Sequence, residues 1–501
     1  MSMAANIVLL SDKGEPDWVA DTRYYNNPVD PFDAADGVAL DSSGNVSVAM
    51  SGVPGFGFHC YNKYAGLRQI RLSNGLTVSG GGTYNPNAII VPYSDGTARV
   101  AYAATFDDPG GINAWTVANV FDLDPSDGSL TTFAYWVGSN VQYNDGGYTN
   151  ITHAAGDSSN NFYGCGFTRE QGGYEFPYLT KYNSSGVNQW TIRLQPQAAT
   201  HTGGGVADAN FGSNQAMISD SSGNTYVQLR HTTDSSDPPT FTIKVMKFNT
   251  SGTQQWVREI SGLGISTTDG TYIYCLSSPT SSTLRVVALN TSDGDIAWER
   301  TLTITTNTLT GSRKIHVSGG YIYIAAGTSN QVVGDTNNLG ATWIKMSTSG
   351  TLEWNRHVYA SGPTYATNFF NTFYASQIDS NKMYSVFNGL GGLTTVKLPL
   401  DGSRTGTLTT LPYIGFGGSA PFTYNNYTTD LVVDTLTISE STTSNATSTS
   451  SSYSTGTTSL TTTDVDVLSL DVSYDASGID SILAPGNDQN PVVTFSKRQL
   501  L

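Results

Sequence analysis

A short phrase recurs along this chain, and it constrains the fold more than any other feature. It reads Lys181-Tyr182-Asn183-Ser184-Ser185-Gly186 then Trp190, Lys247-Phe248-Asn249-Thr250-Ser251-Gly252 then Trp256, and Lys345-Met346-Ser347-Thr348-Ser349-Gly350 then Trp354. A fourth copy, Asn290-Thr291-Ser292-Asp293-Gly294 then Trp298, carries one extra turn residue. In each copy the Trp follows the Gly by the same interval and a basic residue comes soon after: Arg193, Arg258, Arg300 and Arg356. Self-similarity of this kind means that one supersecondary unit is copied and that its copies bury their apolar faces on one another.

A second element precedes each unit, as Asp41-Ser42-Ser43-Gly44-Asn45, Asp157-Ser158-Ser159-Asn160-Asn161 and Asp220-Ser221-Ser222-Gly223-Asn224. Variants lie at Asp95-Gly96, Asp269-Gly270, Gly319-Gly320 and Asp379-Ser380-Asn381. Asp, Asn and Gly supply tight turns, and runs such as Tyr321-Ile322-Tyr323-Ile324 read as strand, so each unit is turn, strand, hairpin turn, strand. Pairing first and second elements predicts seven units spaced by roughly 40 to 65 residues, the length of a four-stranded propeller blade. The expected fold is all-β, a seven-bladed β-propeller over residues 1–427, with six or eight blades also compatible, followed by an extended Ser/Thr-rich arm over residues 428–501. The segment around Trp18 resembles the Gly-to-Trp strand that the last unit lacks. It is therefore expected to complete that blade beside Lys397 and to remove an exposed edge.

These units resemble the degenerate blades of quinoprotein-like and related bacterial propeller families, in which a Trp after a Gly turn packs between neighbouring blades. The resemblance covers about residues 14 to 420 and implies architecture only. Units one and seven lack the Trp, and in unit two Trp136 stands farther from Gly128.

Only 13% of residues are charged and the net charge is −16. Nucleic-acid phosphates demand a basic stripe that this sequence does not contain, and anionic membrane surfaces are disfavoured for the same reason. No apolar run approaches the roughly 20 residues of a spanning helix, and no basic n-region precedes Ile7-Val8-Leu9-Leu10, so neither membrane insertion nor a signal peptide is expected. Cys60, Cys165 and Cys275 fall in separate units and read as small buried hydrophobes rather than a disulfide framework.

From Ser441 to Thr463 the chain is almost entirely Ser and Thr and cannot order itself as a compact body. From Thr428 onward nine acids stand against Lys497 and Arg498. Val465, Val467, Leu468, Leu470, Val472, Val492 and Val493 give this arm strand character. It is expected to gain order by pairing with a partner subunit or with a docking groove on the propeller.

Candidate chemistry is sparse. Trp18, Trp190, Trp256, Trp298 and Trp354 are read as structural blade tryptophans with locally satisfied indoles, rather than as sugar- or quinone-stacking platforms. The arginines beyond them are expected to lay their stems on blade edges and to pair with turn carboxylates. Asp122, Asp124 and Asp127 share one loop and form a weak Ca²⁺ candidate; the spacing is not that of an EF-hand, and no metal or other cofactor is expected. The histidines are scattered, and there is no nucleophile elbow, P-loop or zinc motif, so catalysis is not expected.

The whole chain looks like propeller-bearing structural and tail-associated proteins of tailed bacteriophages, a likeness of layout that transfers no functional residues. It implies a non-enzymatic virion protein made in the host cytoplasm: a tail, fibre or appendage component whose partners are other virion subunits, copies of itself and a host-surface glycan or protein. The alternatives are a quinoprotein-like enzyme or carbohydrate-binding propeller, and a bacterial surface adhesin.

Overall fold

The computed structural model describes residues 18–23, 34–52, 55–61, 67–72, 89–107, 114–125, 130–138, 149–169, 175–195, 209–210, 216–232, 241–260, 264–304, 307–330, 338–360, 373–379, 381–389, 392–409, 430–434, 438–442, 448–450, 454–457, 460–461 and 472–475. Among these residues there is no helix. The chain is an all-β propeller of antiparallel meanders, and the described strands fall into seven sheets.

Six sheets are built from consecutive strands. Sheet one runs Ala34–Leu40, Val46–Gly52, Gly55–Tyr61 and Leu67–Leu72; sheet two runs Ile89–Pro92, Ala98–Asp107, Ala114–Leu123 and Leu130–Gly138. Sheet three comprises His153–Gly156, Phe162–Arg169, Glu175–Tyr182 and Asn188–Gln195. Sheet four comprises Met217–Ser219 with Ala209–Asn210, then Thr225–Thr232, Phe241–Phe248 and Gln254–Ile260. Sheet five follows as Gly264–Thr268, Tyr272–Thr280, Thr283–Asn290 and Ile296–Ile304, and sheet six as Asn307–Ser318, Tyr321–Asn330, Asn338–Ser347 and Leu352–Ala360. The first strands of successive sheets touch in order, and that of sheet seven, Phe373–Ile378, returns to touch that of sheet one.

Sheet seven takes its outer strand from the other end of the chain. Trp18–Arg23 pairs with Gly392–Pro399 in a register that sets Trp18 opposite Lys397, as Trp190 stands opposite Lys181 in sheet three. This is the pairing read from the repeat.

The core is distributed between sheets rather than gathered at a centre. Strand periodicity sends alternate residues to opposite faces. Thus Val227 packs with Tyr163, Leu179 and Leu194 of sheet three, while its neighbour Tyr226 packs with Ile273 and Val287 of sheet five. Equivalent layers join sheets two to three, five to six and six to seven.

The Ser/Thr-rich arm runs back around the rim. Asp430–Asp434 pairs with the outer strand of sheet six and is itself covered by Gly406–Thr409. Ile438–Ser441 then adds to sheet five, Ser448–Ser450 to sheet four, Ser454–Thr457 to sheet three, Leu460–Thr461 to sheet two and Val472–Asp475 to sheet one. The order is the reverse of that in which the sheets were made. A tract without apolar periodicity thus gains order through backbone pairing to edges that the propeller supplies, and among the described residues the outer strands of sheets one to six are covered from within the chain. Of the arm residues singled out from sequence, Val472 lies in this pairing, whereas Val465, Val467, Leu468, Leu470, Val492 and Val493 lie outside the described residues.

Candidate functional site

The residues that the repeat preserves meet at the seams between successive sheets. Each seam begins with an Asp-led turn. In sheet three Asp157 accepts the backbone N–H groups of Ser159 (2.9 Å) and Asn161 (3.0 Å), and its second oxygen accepts the Asn161 amide (2.8 Å) and the Tyr163 hydroxyl (2.8 Å). Asp220 repeats the set with Ser222, Asn224 and Tyr226. Tyr274 donates to Asp269 at 2.7 Å and Tyr384 to Asp379 at 3.3 Å. Burial and the adjoining carboxylates push the Tyr163 and Tyr226 hydroxyls well above the ordinary phenol range, which keeps them as donors.

The tyrosine then meets the Lys and Trp of the recurring phrase. Tyr163 lies 6.2 Å from Trp190, Tyr226 6.2 Å from Trp256, Tyr274 6.1 Å from Trp298 and Tyr323 6.3 Å from Trp354, all tilted. A bulge beside each Lys–Trp pair, as where Lys181 faces Trp190 but Tyr182 faces Asn188, separates the pair from its turn. Both donors reach into the next sheet. Trp190 Nε1 (3.0 Å) and Lys181 Nζ (3.4 Å) share the Thr250 carbonyl, and Trp256 Nε1 (3.2 Å) and Lys247 Nζ (2.9 Å) share that of Thr291. Trp298 Nε1 donates to the Thr348 carbonyl at 3.0 Å.

The Gly of the phrase is the receiving half of this joint. At Gly252, with φ 78°, an added Cβ would stand 3.0 Å from the Trp190 ring; at Gly294, also 78°, it would stand 2.9 Å from Trp256 and 2.6 Å from the Arg258 side chain. Phrase and receptor are therefore one device, with the Trp of one sheet seated on the turn glycine of the next. The four tryptophans are half-buried, flatter on the rim than a fully enclosed wedge. Trp18 has its place in the backbone register described above.

Of the arginines that follow, Arg258 reaches across its seam and Arg300 meets the returning arm. Arg258 donates to the Asp293 carbonyl (2.6 Å) and pairs with Asp295 (3.0 Å), while Arg300 pairs with Glu440 of the returning arm at 3.1 Å. Arg356 donates to the Asn355 carbonyl, and Arg193 faces Tyr178 in the strand register.

Sheet two joins sheet three by other means. Its buried Arg99 pairs with Asp122 (2.8 Å), donates to the Tyr93 hydroxyl and to the carbonyls of Asn160 (2.6 Å) and Ser184 (3.2 Å), and stacks 3.6 Å over the Phe133 ring. The Phe133 backbone carbonyl also stands against Gly186, whereas at later seams a Trp ring meets the turn glycine. Sequence pattern missed both residues, because neither matches the phrase. Their signal is positional: Arg99 follows Tyr93 by the interval at which Tyr163 follows Asp157.

Asp122 is thus engaged by Arg99, Asp124 lies at the start of the turn, and Asp127 is outside the described residues. Among the described residues no three His, Cys, Asp or Glu side chains gather as a metal site. Cys165 and Cys275 are buried and free, and burial pushes both thiols far above the ordinary range. His357 Nε2 meets Thr328 Oγ1 at 2.9 Å. His316 Nε2 lies 2.7 Å from Ser376 Oγ, and its ring stacks on Trp343, whose Nε1 donates to Ser385 Oγ at 2.5 Å. Burial and the Lys314 charge bring His316 down to about 4, so it is a neutral partner at neutral pH and a weak base.

No protein-family model matches the chain, and no curated protein matches it. Several solved structures are similar at low identity. The β-propeller domain of the Trilobed protease from Pyrococcus furiosus is 8% identical, with 74% of this chain and 95% of that one covered and a TM-score of 0.40. The acylaminoacyl peptidase of Pyrococcus horikoshii is 9% identical over 71% of this chain and 51% of that one, with a TM-score of 0.36. The endosialidase of phage phi92 is 10% identical over 76% of this chain and 69% of that one, with a TM-score of 0.35. Likenesses at this level say nothing of chemistry.

Proposed function

We propose that the chain is a non-enzymatic structural component of a tailed-phage particle, in the tail, a fibre or an appendage, and that its seven sheets act as seven blades. The blade count is supported by the closed order in which the first strands touch. The functional reading is supported chiefly by one observation. The side chains that the repeat preserves are engaged in joining sheets: Lys and Trp donors converge on the Thr250 and Thr291 carbonyls, and the arm covers the rim edges that sequential assembly leaves bare. Such a molecule is built to hold its shape in a multi-copy assembly, and its partners are other particle subunits and further copies of itself.

The test is to raise antibodies against the purified chain and apply them to particles banded from a lysate of the producing host. Regular labelling at one position on the particle supports the reading. A chain that stays wholly in the soluble fraction, or that turns over a sugar or a quinone-linked alcohol substrate, refutes it.

A further inference from the structure

The seam between sheets six and seven departs from the others in a way that suggests a ligand. Sheet six supplies the same donors as sheets three and four, with Lys345 opposite Trp354, and the Trp354 ring sits on the turn glycine of the next sheet, Gly402. The convergence on a turn carbonyl does not follow. Among the described residues the Trp354 Nε1 is buried without a hydrogen-bond partner, and the Lys345 ammonium makes ring contacts only, 3.6 Å from the centroid of Tyr321 and 5.7 Å from that of Tyr323. On the Lys345 side of this joint there is a cleft of about 400 Å³, lined by Tyr323, Lys345, Lys382, Asn381, Leu400 and Asp401, with Pro399 at its side; Trp354 does not line it.

The lining is chemically mixed in a specific way. Lys345 brings to the cavity an ammonium held by aromatic rings, while Lys382 lies near the single carboxylate, Asp401. The Ser403 backbone N–H, donating to Asp401 at 2.8 Å, holds that carboxyl below its usual range and the Lys382 charge helps to hold it low, so it is an acceptor at neutral pH. Asn381 adds an amide that both donates and accepts. Leu400 and Pro399 supply an apolar surface, and Tyr323 an aromatic one. A ligand matching this set carries one carboxylate for Lys345, hydroxyls for Asp401 and Asn381, and a compact body with an apolar face.

We propose that this cleft binds an acidic sugar residue, with its carboxylate on Lys345 and its hydroxyls on Asp401 and Asn381. The site holds whether or not the chain belongs to a particle, because it rests on the seam alone. An open, solvent-reached cleft of this kind gives weak single-site affinity, on the order of 1 mM, which multiple copies strengthen through multivalency.

The experiment uses the full chain, with methyl glucuronide, methyl glucoside and acetate as probes in calorimetry and ligand-observed saturation-transfer NMR. The expected result is saturable binding of the glucuronide, at least tenfold weaker binding of the glucoside and of acetate, and weakening of the glucuronide by about tenfold in Lys345→Gln with an unchanged melting temperature. Should Lys345→Gln fail to fold, Asn381→Ala at the exposed turn serves instead: it is expected to weaken the glucuronide and leave acetate unaffected. Equal affinity for the three probes, no saturation by the glucuronide up to about twenty times the expected constant, or indifference to whichever variant folds, overturns the proposal.

Discussion

Gly252 meets two demands at once, a left-handed backbone at φ 78° and room for the Trp190 ring, and the two can be separated by comparison with Gly270. That residue has φ 85° and nothing within 4 Å of where a Cβ would go. Gly270→Ala should therefore cost only the backbone penalty of about 1 to 2 kcal/mol, and Gly252→Ala about 1 kcal/mol more because the indole must shift. In a Trp190→Ala background the excess should fall to the part imposed by Ile192 Cδ1, which also stands 3.0 Å from that position; chemical denaturation of the four variants measures it, and an excess that persists undiminished removes the Trp–Gly joint from the account. A second residue-scale expectation concerns pH. His316 falls from an unfolded value near 6.5 to about 4, so the unfolded chain binds the extra proton and the stability held by neutral His316 is complete above about pH 6.5 and lost progressively toward pH 4. His316→Gln should flatten the stability profile across that window, by on the order of 2 kcal/mol at its acid end. An unchanged profile would mean that another group carries the acid sensitivity.

At the scale of elements, what could be read from the chain and what could not divide along side-chain pattern. Trp18–Arg23 was legible because the Lys–Trp pairing it completes is printed three times elsewhere, and the register Trp18 to Lys397 follows from it. Ser448–Ser450 and Ser454–Thr457 were legible only as segments that cannot fold alone. Their partners are backbone edges, which accept any residue able to extend, so no side-chain alternation records which sheet each will meet. The Arg300–Glu440 ion pair is likewise invisible before the arm is placed. The seam joints were half legible: the Trp and Gly stood out, but the Tyr that ties the Asp turn to the Trp, and Arg99 with Phe133 in their stead at sheet two, emerge only from the packing. The arm makes its own prediction. Ending the chain after residue 442 bares the outer strands of sheets one to four, so amide exchange should accelerate along Gln254–Ile260 and Asn188–Gln195 while the inner strand Thr225–Thr232 keeps its protection. Exchange unchanged in those outer strands would show that the arm is a passive covering.

For the whole molecule the question is what holds the circle shut. Each seam is a sum of local contacts between neighbours, so opening at any one of them leaves the other sheets intact, and the molecule is as closed as its weakest seam. The seam between sheets seven and one is unlike the rest, since its two sheets come from opposite ends of the repeat array and meet through Phe373–Ile378 and Ala34–Leu40. Sheet seven is also the sheet whose outer edge is covered by Trp18–Arg23 rather than by the returning arm, six paired residues against four for the arm strand on sheet one. Removing residues 1–23 therefore strips the edge of the sheet that closes the ring, whereas removing residues 472–501 strips one cap from a sheet that keeps its own four strands. The first deletion should lower the melting temperature several times more than the second, and it should promote association, because the bared edge beside Lys397 can pair with the same bared edge of another copy. Thermal melts and light scattering on the two truncated chains decide it. Equal losses from both ends, with both proteins monomeric, would place the closure in the inner strands alone.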